Sequence, residues 1–271
     1  MKTVLLHVYG DEGQKARLDA AVALVRAFDG RLQCIQVKAM SSYVVAEPFG
    51  GAYMVGELYK TLERQAREEK AKIDLELKDT GVPHEWIGFD GGVAQSIVNW
   101  SRLSDIIVLS KPDYRKHDGN HSIPIIADVA MSARSPVLAI PETFSGSFMP
   151  TGPAMIAWNG APEGAHTLRA ALPLLKIASA VTLISVGKDS NDFPVINAVN
   201  YLALHGVAAT VREIPEGDAG VAEALMQAAR AMSAAYIVMG AYGHSRFREA
   251  ILGGVTRAML EHSDVPLLMA H

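Results

Sequence analysis

Cysteine is almost missing from this chain: Cys34 stands alone among 271 residues. A disulfide framework and a cysteine zinc site are thereby excluded within one chain, and the composition suits a reducing compartment. Cys34 itself lies in an apolar run and is expected as a small core residue. Long hydrophobic runs are missing too. No uninterrupted apolar stretch approaches the roughly 20 residues of a membrane span, and the first one, residues 4–8, is too short for a signal-peptide core. The expectation is a cytoplasmic protein with no membrane partner. Blocks of one charge are also absent. The formal net charge is −4 and no run of Lys or Arg exceeds a few residues, so the electrostatic footprint of a nucleic-acid binder is lacking.

What is present is apolar residues at 49% and charged ones at 20%, the balance of a globular protein rather than a disordered one. The length exceeds one ordinary domain and supplies two cores. Short apolar runs rich in β-branched residues alternate with stretches of helical period, which is the pattern of βαβ units around a parallel sheet. The pattern occurs twice. Strands are expected at residues 3–8, 32–37, 84–89, 106–110 and 136–140, and again at 154–158, 181–186, 209–214, 236–239 and 265–270. A helix over 55–78 carries Glu63, Arg64, Arg67, Glu68, Glu69 and Lys70 at spacings suited to i,i+4 pairing on a solvated face.

Between the two patterns lies PETFSGSFMPTGP, residues 141–153, with no apolar period. It marks a linker at 143–153 between domains 1–142 and 154–271. Gly92-Val93-Ala94 reappears as Gly220-Val221-Ala222, and Ser135-Pro136-Val137-Leu138 resembles Asp264-Val265-Pro266-Leu267-Leu268, as an internal duplication would leave them. The expected fold class is α/β: two tandem three-layer α/β/α sandwiches, Rossmann-like, each with a five-stranded parallel sheet and a ligand crevice at the carboxyl ends of its strands.

The most informative string is IVMGAYGHSRFREAILGGVT, residues 237–256. Met239 ends an apolar strand. Gly240 and Gly243 lack a β-carbon, which lets the chain turn and bring its amides close to an anion. Gly253 and Gly254 then precede a helix over 255–261, whose first amides and positive dipole end would face the same anion. Plain turn chemistry is the alternative reading of the same glycines. No Gly-Lys-Ser/Thr follows, so this is not a Walker A loop, and it does not follow the first strand of a βαβ unit as GxGxxG does.

This string resembles the universal stress protein family, whose nucleotide-binding members carry Gly, two residues, Gly, nine residues, Gly and then Ser or Thr. Gly240, Gly243 and Gly253 fit that spacing, and the likeness continues through Val255, Thr256 and Pro266 to cover about the whole second half. The resemblance implies an adenine nucleotide alpha hydrolase-like fold and an adenine nucleotide (ATP, ADP or AMP) held in the C-terminal domain. It also implies a loop around His244 on the phosphates, the turn at Asn159 and Gly160 on the adenosine, and the backbone of Val186 on the base. Two departures matter. Asn159-Gly160-Ala161 stands where the family has Asp-Gly-Ser, and Gly254 stands where it has Ser or Thr, so a carboxylate and two hydroxyls are lost, with Thr256 a partial replacement. Each lost neutral hydrogen bond costs about 1 kcal/mol, so weakened binding is expected rather than none.

The first half lacks the glycine pair: Pro112 falls where the cradle would form, and Asp11 takes roughly the place of the family's carboxylate. Its crevice is expected to be absent or remodelled. His117, Asp118 and His121 read as a solvated loop rather than a metal site. No nucleophile and base arrangement is recognisable, so no catalytic residue is assigned. The resemblance further implies that the last strands, 136–140 and 265–270, pair as in a dimer joined into one chain; a homodimer is the wider option. The function expected is nucleotide-dependent regulation in a stress response. The alternatives are a slow ATP hydrolase assisted by Mg²⁺, and a tandem domain that binds another small ligand or a protein.

Overall fold

A computed structural model describes residues 1–38, 52–111, 125–187, 193–241 and 253–271, with side chains from residue 59 onward in the helix that begins at 52. In the first half the elements are β1 (Thr3–His7), α1 (Gln14–Phe28), β2 (Arg31–Lys38), α2 (Ala52–Thr80), β3 (His84–Asp90), α3 (Val93–Trp100), β4 (Ile106–Lys111), α4 (Ile125–Ser132) and β5 (Val137–Pro141). The second half repeats the order with β6 (Ala154–Trp158), α5 (Pro162–Leu175), β7 (Val181–Val186), α6 (Val195–Leu204), β8 (Thr210–Ile214), α7 (Gly220–Ala231), β9 (Tyr236–Gly240), α8 (Gly254–His262) and β10 (Leu267–Ala270).

The expected strands are all found, with ends displaced by at most two residues. Their assembly follows the expected pairing of the last strands. The two five-stranded parallel sheets are fused into one ten-stranded sheet, ordered β3-β2-β1-β4-β5-β10-β9-β6-β7-β8. The order is symmetric about its middle, where β5 and β10 meet antiparallel with Leu267 opposite Ala139 and Met269 opposite Val137. Apolar edge strands left open would invite association with other chains, and this pairing removes both inner edges.

Alternation along each strand sends side chains to two separate cores. Val4, Leu6 and Val8 join residues of α1, α2, α5 and α6 on one face. Leu5, Ile35 and Ile107 join residues of α3, α4, α7 and α8 on the other. The result is the three-layer sandwich. Burial on both faces explains why these strands read as apolar runs rather than as alternating ones. Cys34 is fully buried, and burial pushes its thiol up to about 12, which leaves it inert. On α2 the anticipated surface pairs form between Arg67 and Glu63 at 3.8 Å and between Arg64 and Glu68 at 4.0 Å. Glu69 turns inward instead, with Oε1 buried.

The segment between β5 and β6 is less free than its composition implies. Phe148 is buried and packs at 5.9 Å on the ring of Tyr236, so the connection is anchored in the second half's core. A second tie crosses the junction: the buried Lys111, at the end of β4, donates at 2.7 Å to the carbonyl of Leu260 in the last turn of α8. A cation at a helix C-terminus satisfies an orphan carbonyl and complements the dipole.

Candidate functional site

The carboxyl ends of β6, β7 and β9 open into a cavity of about 310 Å³, bounded by α5, α7 and α8. Its walls are largely apolar: Ala157 and Trp158 from β6, Ile184 and Val186 from β7, Met239 from β9, and Val221 and Leu225 from α7. The polar part of the rim is made by Asn159, Glu163 and the start of α8, with Gly253, Gly254, Val255 and Thr256. A pocket of mostly hydrophobic wall with a few convergent polar groups is the ordinary form of a small-molecule site.

Each sequence-predicted residue can be placed. Asn159, Val186, Met239, Gly240, Gly253, Gly254, Val255 and Thr256 line this one cavity. Gly160 adjoins it at φ +74°, a left-handed turn that a side chain would strain, and so reverses the chain from β6 into α5. Gly243 and His244 lie outside the described residues, as do Arg246, Arg248, Glu249, Pro112 and the His117, Asp118, His121 group. Among the described residues no cluster of three His, Cys, Asp or Glu side chains could hold a metal.

Two of these residues have particular surroundings. Gly240 is the last residue of β9 rather than part of an open turn, and it pairs with Ala270. A β-carbon there would sit 2.6 Å from the backbone nitrogen of Gly164 and 2.9 Å from the carbonyl carbon of Glu163. The glycine is required by the close approach of strand end and helix. Asn159 uses its side-chain oxygen internally, accepting the amide of Ala161 at 3.1 Å, which leaves its NH₂ group to offer to a ligand.

Helix α8 begins at the cavity with Gly253 as N-cap and no side-chain cap, and its first turn holds no acid. A helix start of this kind, with its positive dipole end, suits an anion. A β-carbon on Gly254 would meet nothing within 4 Å. Helix α5 also starts here without a side-chain cap, but carries Glu163 in its first turn. Two buried polar atoms of lining residues, Trp158 Nε1 and Glu163 Oε2, have no hydrogen-bond partner.

At the matching strand ends of the first half a buried arginine is held by the residues around it. Each buried position of α5 has a buried counterpart in α1, among them Thr167, Leu168, Ala171, Leu174 and Leu175 against Arg17, Leu18, Ala21, Leu24 and Val25. Arg17 is 1% exposed. Its guanidinium donates to the carbonyl of His7 at 2.7 Å and of Tyr9 at 2.9 Å, to both oxygens of Asp11 at 3.1 Å, to Gln14 Oε1 at 2.6 Å and to the hydroxyl of Ser110. In the second half the corresponding Thr167 is also buried but small, accepting the amide of Ala270 at 3.1 Å. Ser110 stands where the second half has Gly240. Asp11, placed by the sequence reading as a ligand carboxylate, is thus engaged with Arg17.

Burial draws the Arg17 guanidinium below its usual range, opposed by Asp11, Glu142 and Glu69. Burial and, secondarily, the Arg17 charge push His7 down to about 3. The folded protein keeps His7 neutral while the unfolded chain protonates it below about pH 6.5, so the group lowers stability progressively as pH falls from about 6.5 towards 3. Between pH 7 and 5 this amounts to about 2 kcal/mol, at about 1.4 kcal/mol per unit. Urea unfolding at both pH values checks it: His7→Phe should lose less stability on acidification than the wild type. An equal loss in both proteins would rule His7 out.

Residues 200–271 match the model of the universal stress protein family. Over those residues the chain is similar to that family. The matched part runs from α6 to β10 and contributes the α7, β9 and α8 walls of the cavity. Among solved structures, a universal stress protein from Archaeoglobus fulgidus is 15% identical, with 99% of this chain and 97% of that chain covered at a TM-score of 0.75. One described as a putative universal stress protein from Pseudomonas aeruginosa is 14% identical, covering 100% and 93%, with a TM-score of 0.61. The universal stress protein fold therefore extends over both halves. No curated protein matches the chain in sequence. Among the described residues no helix is long and apolar enough to cross a membrane.

Several residues at the two crevices escaped the sequence reading. Val221 was noted only as part of a repeated string, and Glu163, one turn beyond Asn159, was not singled out. For Arg17 a signal existed: it is a lone charge within the apolar stripe Leu18, Ala21, Val22, Val25 of α1.

Proposed function

We propose that the C-terminal universal stress protein domain binds one adenine nucleotide (ATP, ADP or AMP), and that occupancy of this site is the regulatory signal the protein carries in a stress response. The observation that supports this reading is the cavity at the strand ends, apolar on one side and met on the other by the uncapped N-terminus of α8. An apolar wall suits a purine ring, and main-chain amides suit a phosphate. The volume lies at the lower end of the usual range for small-ligand sites.

Binding is favoured over catalysis because the cavity's described lining offers one ionisable side chain, Glu163, and no nucleophile with a base beside it. In the hydrolase reading, Mg²⁺ would accompany the phosphates. The N-terminal half serves as a partner within the chain, its β5 joined to β10 in the manner of a dimer made intramolecular. The domain division proposed is 1–142, a linker at 143–153, and 154–271.

Isothermal titration calorimetry with ATP, ADP and AMP, together with a product assay in Mg²⁺, tests the proposal. Gly254→Val places a branched side chain at the cavity mouth where nothing else stands, so affinity should fall at least about tenfold while the melting temperature stays within a few degrees. Unchanged affinity in that variant would place the nucleotide elsewhere. Turnover matched to binding would move the protein into the hydrolase class.

A further inference from the structure

The halves meet about a pseudo-two-fold axis at the β5–β10 pair, where Leu268 lies opposite Leu138. Ile107 pairs with Val137 as Ile237 pairs with Leu267, so along the strands Lys111 corresponds to Ala241. The helices α4 and α8 close with matching bonds, Ala133 N to the carbonyl of Val129 at 2.8 Å and Ser263 N to that of Met259 at 3.0 Å, so Ala130 corresponds to Leu260. A symmetric molecule would tie each half to a helix of the other. Here the tie runs one way: Lys111 Nζ donates at 2.7 Å to the carbonyl of Leu260, whereas the buried Ala241 has no side-chain donor to offer Ala130.

The direction matters because of what lies at the far end of α8. Its start lines the cavity through Gly253, Gly254, Val255 and Thr256. The helix has nine residues, a length of about 13 Å at 1.5 Å per residue. A rod this short carries a displacement from its last turn to its first, and binding groups need placement to within about 0.5 Å, which a tilt of a few degrees exceeds. Lys111 is 4% exposed, and a buried charge-assisted hydrogen bond fixes distance and direction more strictly than apolar contact does. Resting on the nucleotide reading, we infer that Lys111 is a positioning residue: reaching out of the N-terminal half, it sets the placement of α8 and with it the affinity of the cavity in the other half. The N-terminal half is thus a support for the site as well as a partner for β10.

Calorimetry with ATP, ADP and AMP, joined to amide hydrogen exchange on the full chain, tests this. Lys111→Met keeps the length and loses the donor; it should weaken the tightest of the three nucleotides about fivefold to tenfold and speed exchange at Ser263. Lys111→Gln, a neutral donor, should fall between Met and wild type. Ala133, the matching amide of α4, is the internal control and should not change. In the wild type, where no variant has to fold, that nucleotide should slow exchange at Ser263 at least about twofold more than at Ala133, because coupling between the two ends of α8 is reciprocal. A residue that only stabilised the fold would move both amides together. Unchanged affinity in folded Lys111→Met, or equal slowing at Ser263 and Ala133, would overturn the inference and leave the nucleotide reading intact. Failure of the wild type to bind any of the three would overturn both.

Discussion

Arg17→Ala should be the most damaging single substitution in the N-terminal half, lowering stability by about 3–5 kcal/mol. The guanidinium is not a surface charge. It is 1% exposed and satisfies two carbonyls, a carboxylate, an amide oxygen and a hydroxyl at once. Removing it leaves Asp11 charged and half-buried, and strands the carbonyls of His7 and Tyr9 without their donor, so the cost is the desolvation of several groups. For a chain of this size about 2–4 °C of melting temperature goes with each kcal/mol, so a fall of about 10 °C is expected by scanning calorimetry. Gly13 belongs to the same arrangement: a β-carbon there would lie 2.5 Å from Ser110 Oγ. A change of less than about 2 °C in Arg17→Ala would mean that this network contributes little to stability.

Gly240→Val should combine loss of stability with loss of ligand binding. The new side chain meets the backbone of Gly164 and Glu163 at 2.6 and 2.9 Å, and backbone cannot rotate out of the way as a side chain does. Overpacking of this kind costs about 1–3 kcal/mol. Because the displaced element is the start of α5, the cavity rim shifts with it. Gly164→Ala supplies the contrast, since its β-carbon would meet only Asn159 Oδ1 at 3.4 Å. Thermal melts and nucleotide titrations of both variants should separate: Gly240→Val loses both stability and affinity, whereas Gly164→Ala keeps both near wild type. Equal tolerance of the two would remove the packing role assigned to Gly240.

The strands were legible because parallel strands covered on both faces must be apolar throughout, and turn-forming residues bound them. The order of elements in the two halves was legible for the same reason, with the duplication as a second guide, whereas the pairing of the last strands came from the family resemblance. The Arg17 arrangement was not. It depends on Ser110, distant in sequence and adjacent only after β1 and β4 pair. Lys111 and Leu260 likewise meet only across the junction of the halves. Gly240 shows a different limit: the glycine was noticed, but sequence spacing alone could not distinguish a turn that bares amides from a strand end that touches a helix. Eight of the eleven residues expected around a ligand line one cavity, while the apolar walls contributed by Ile184 and Leu225 carried no signal beyond the periodicity of any core residue.

The asymmetry between the halves is the physical basis of the account. At the strand ends of the first half a guanidinium is fixed from within; at those of the second, Thr167 and Gly240 stand in place of Arg17 and Ser110, and the described residues line a cavity. Native mass spectrometry of the full chain titrated with AMP measures this most directly. A single adduct per chain, lost in Gly254→Val, is the predicted result. Two adducts per chain, or one that survives Gly254→Val, would contradict it.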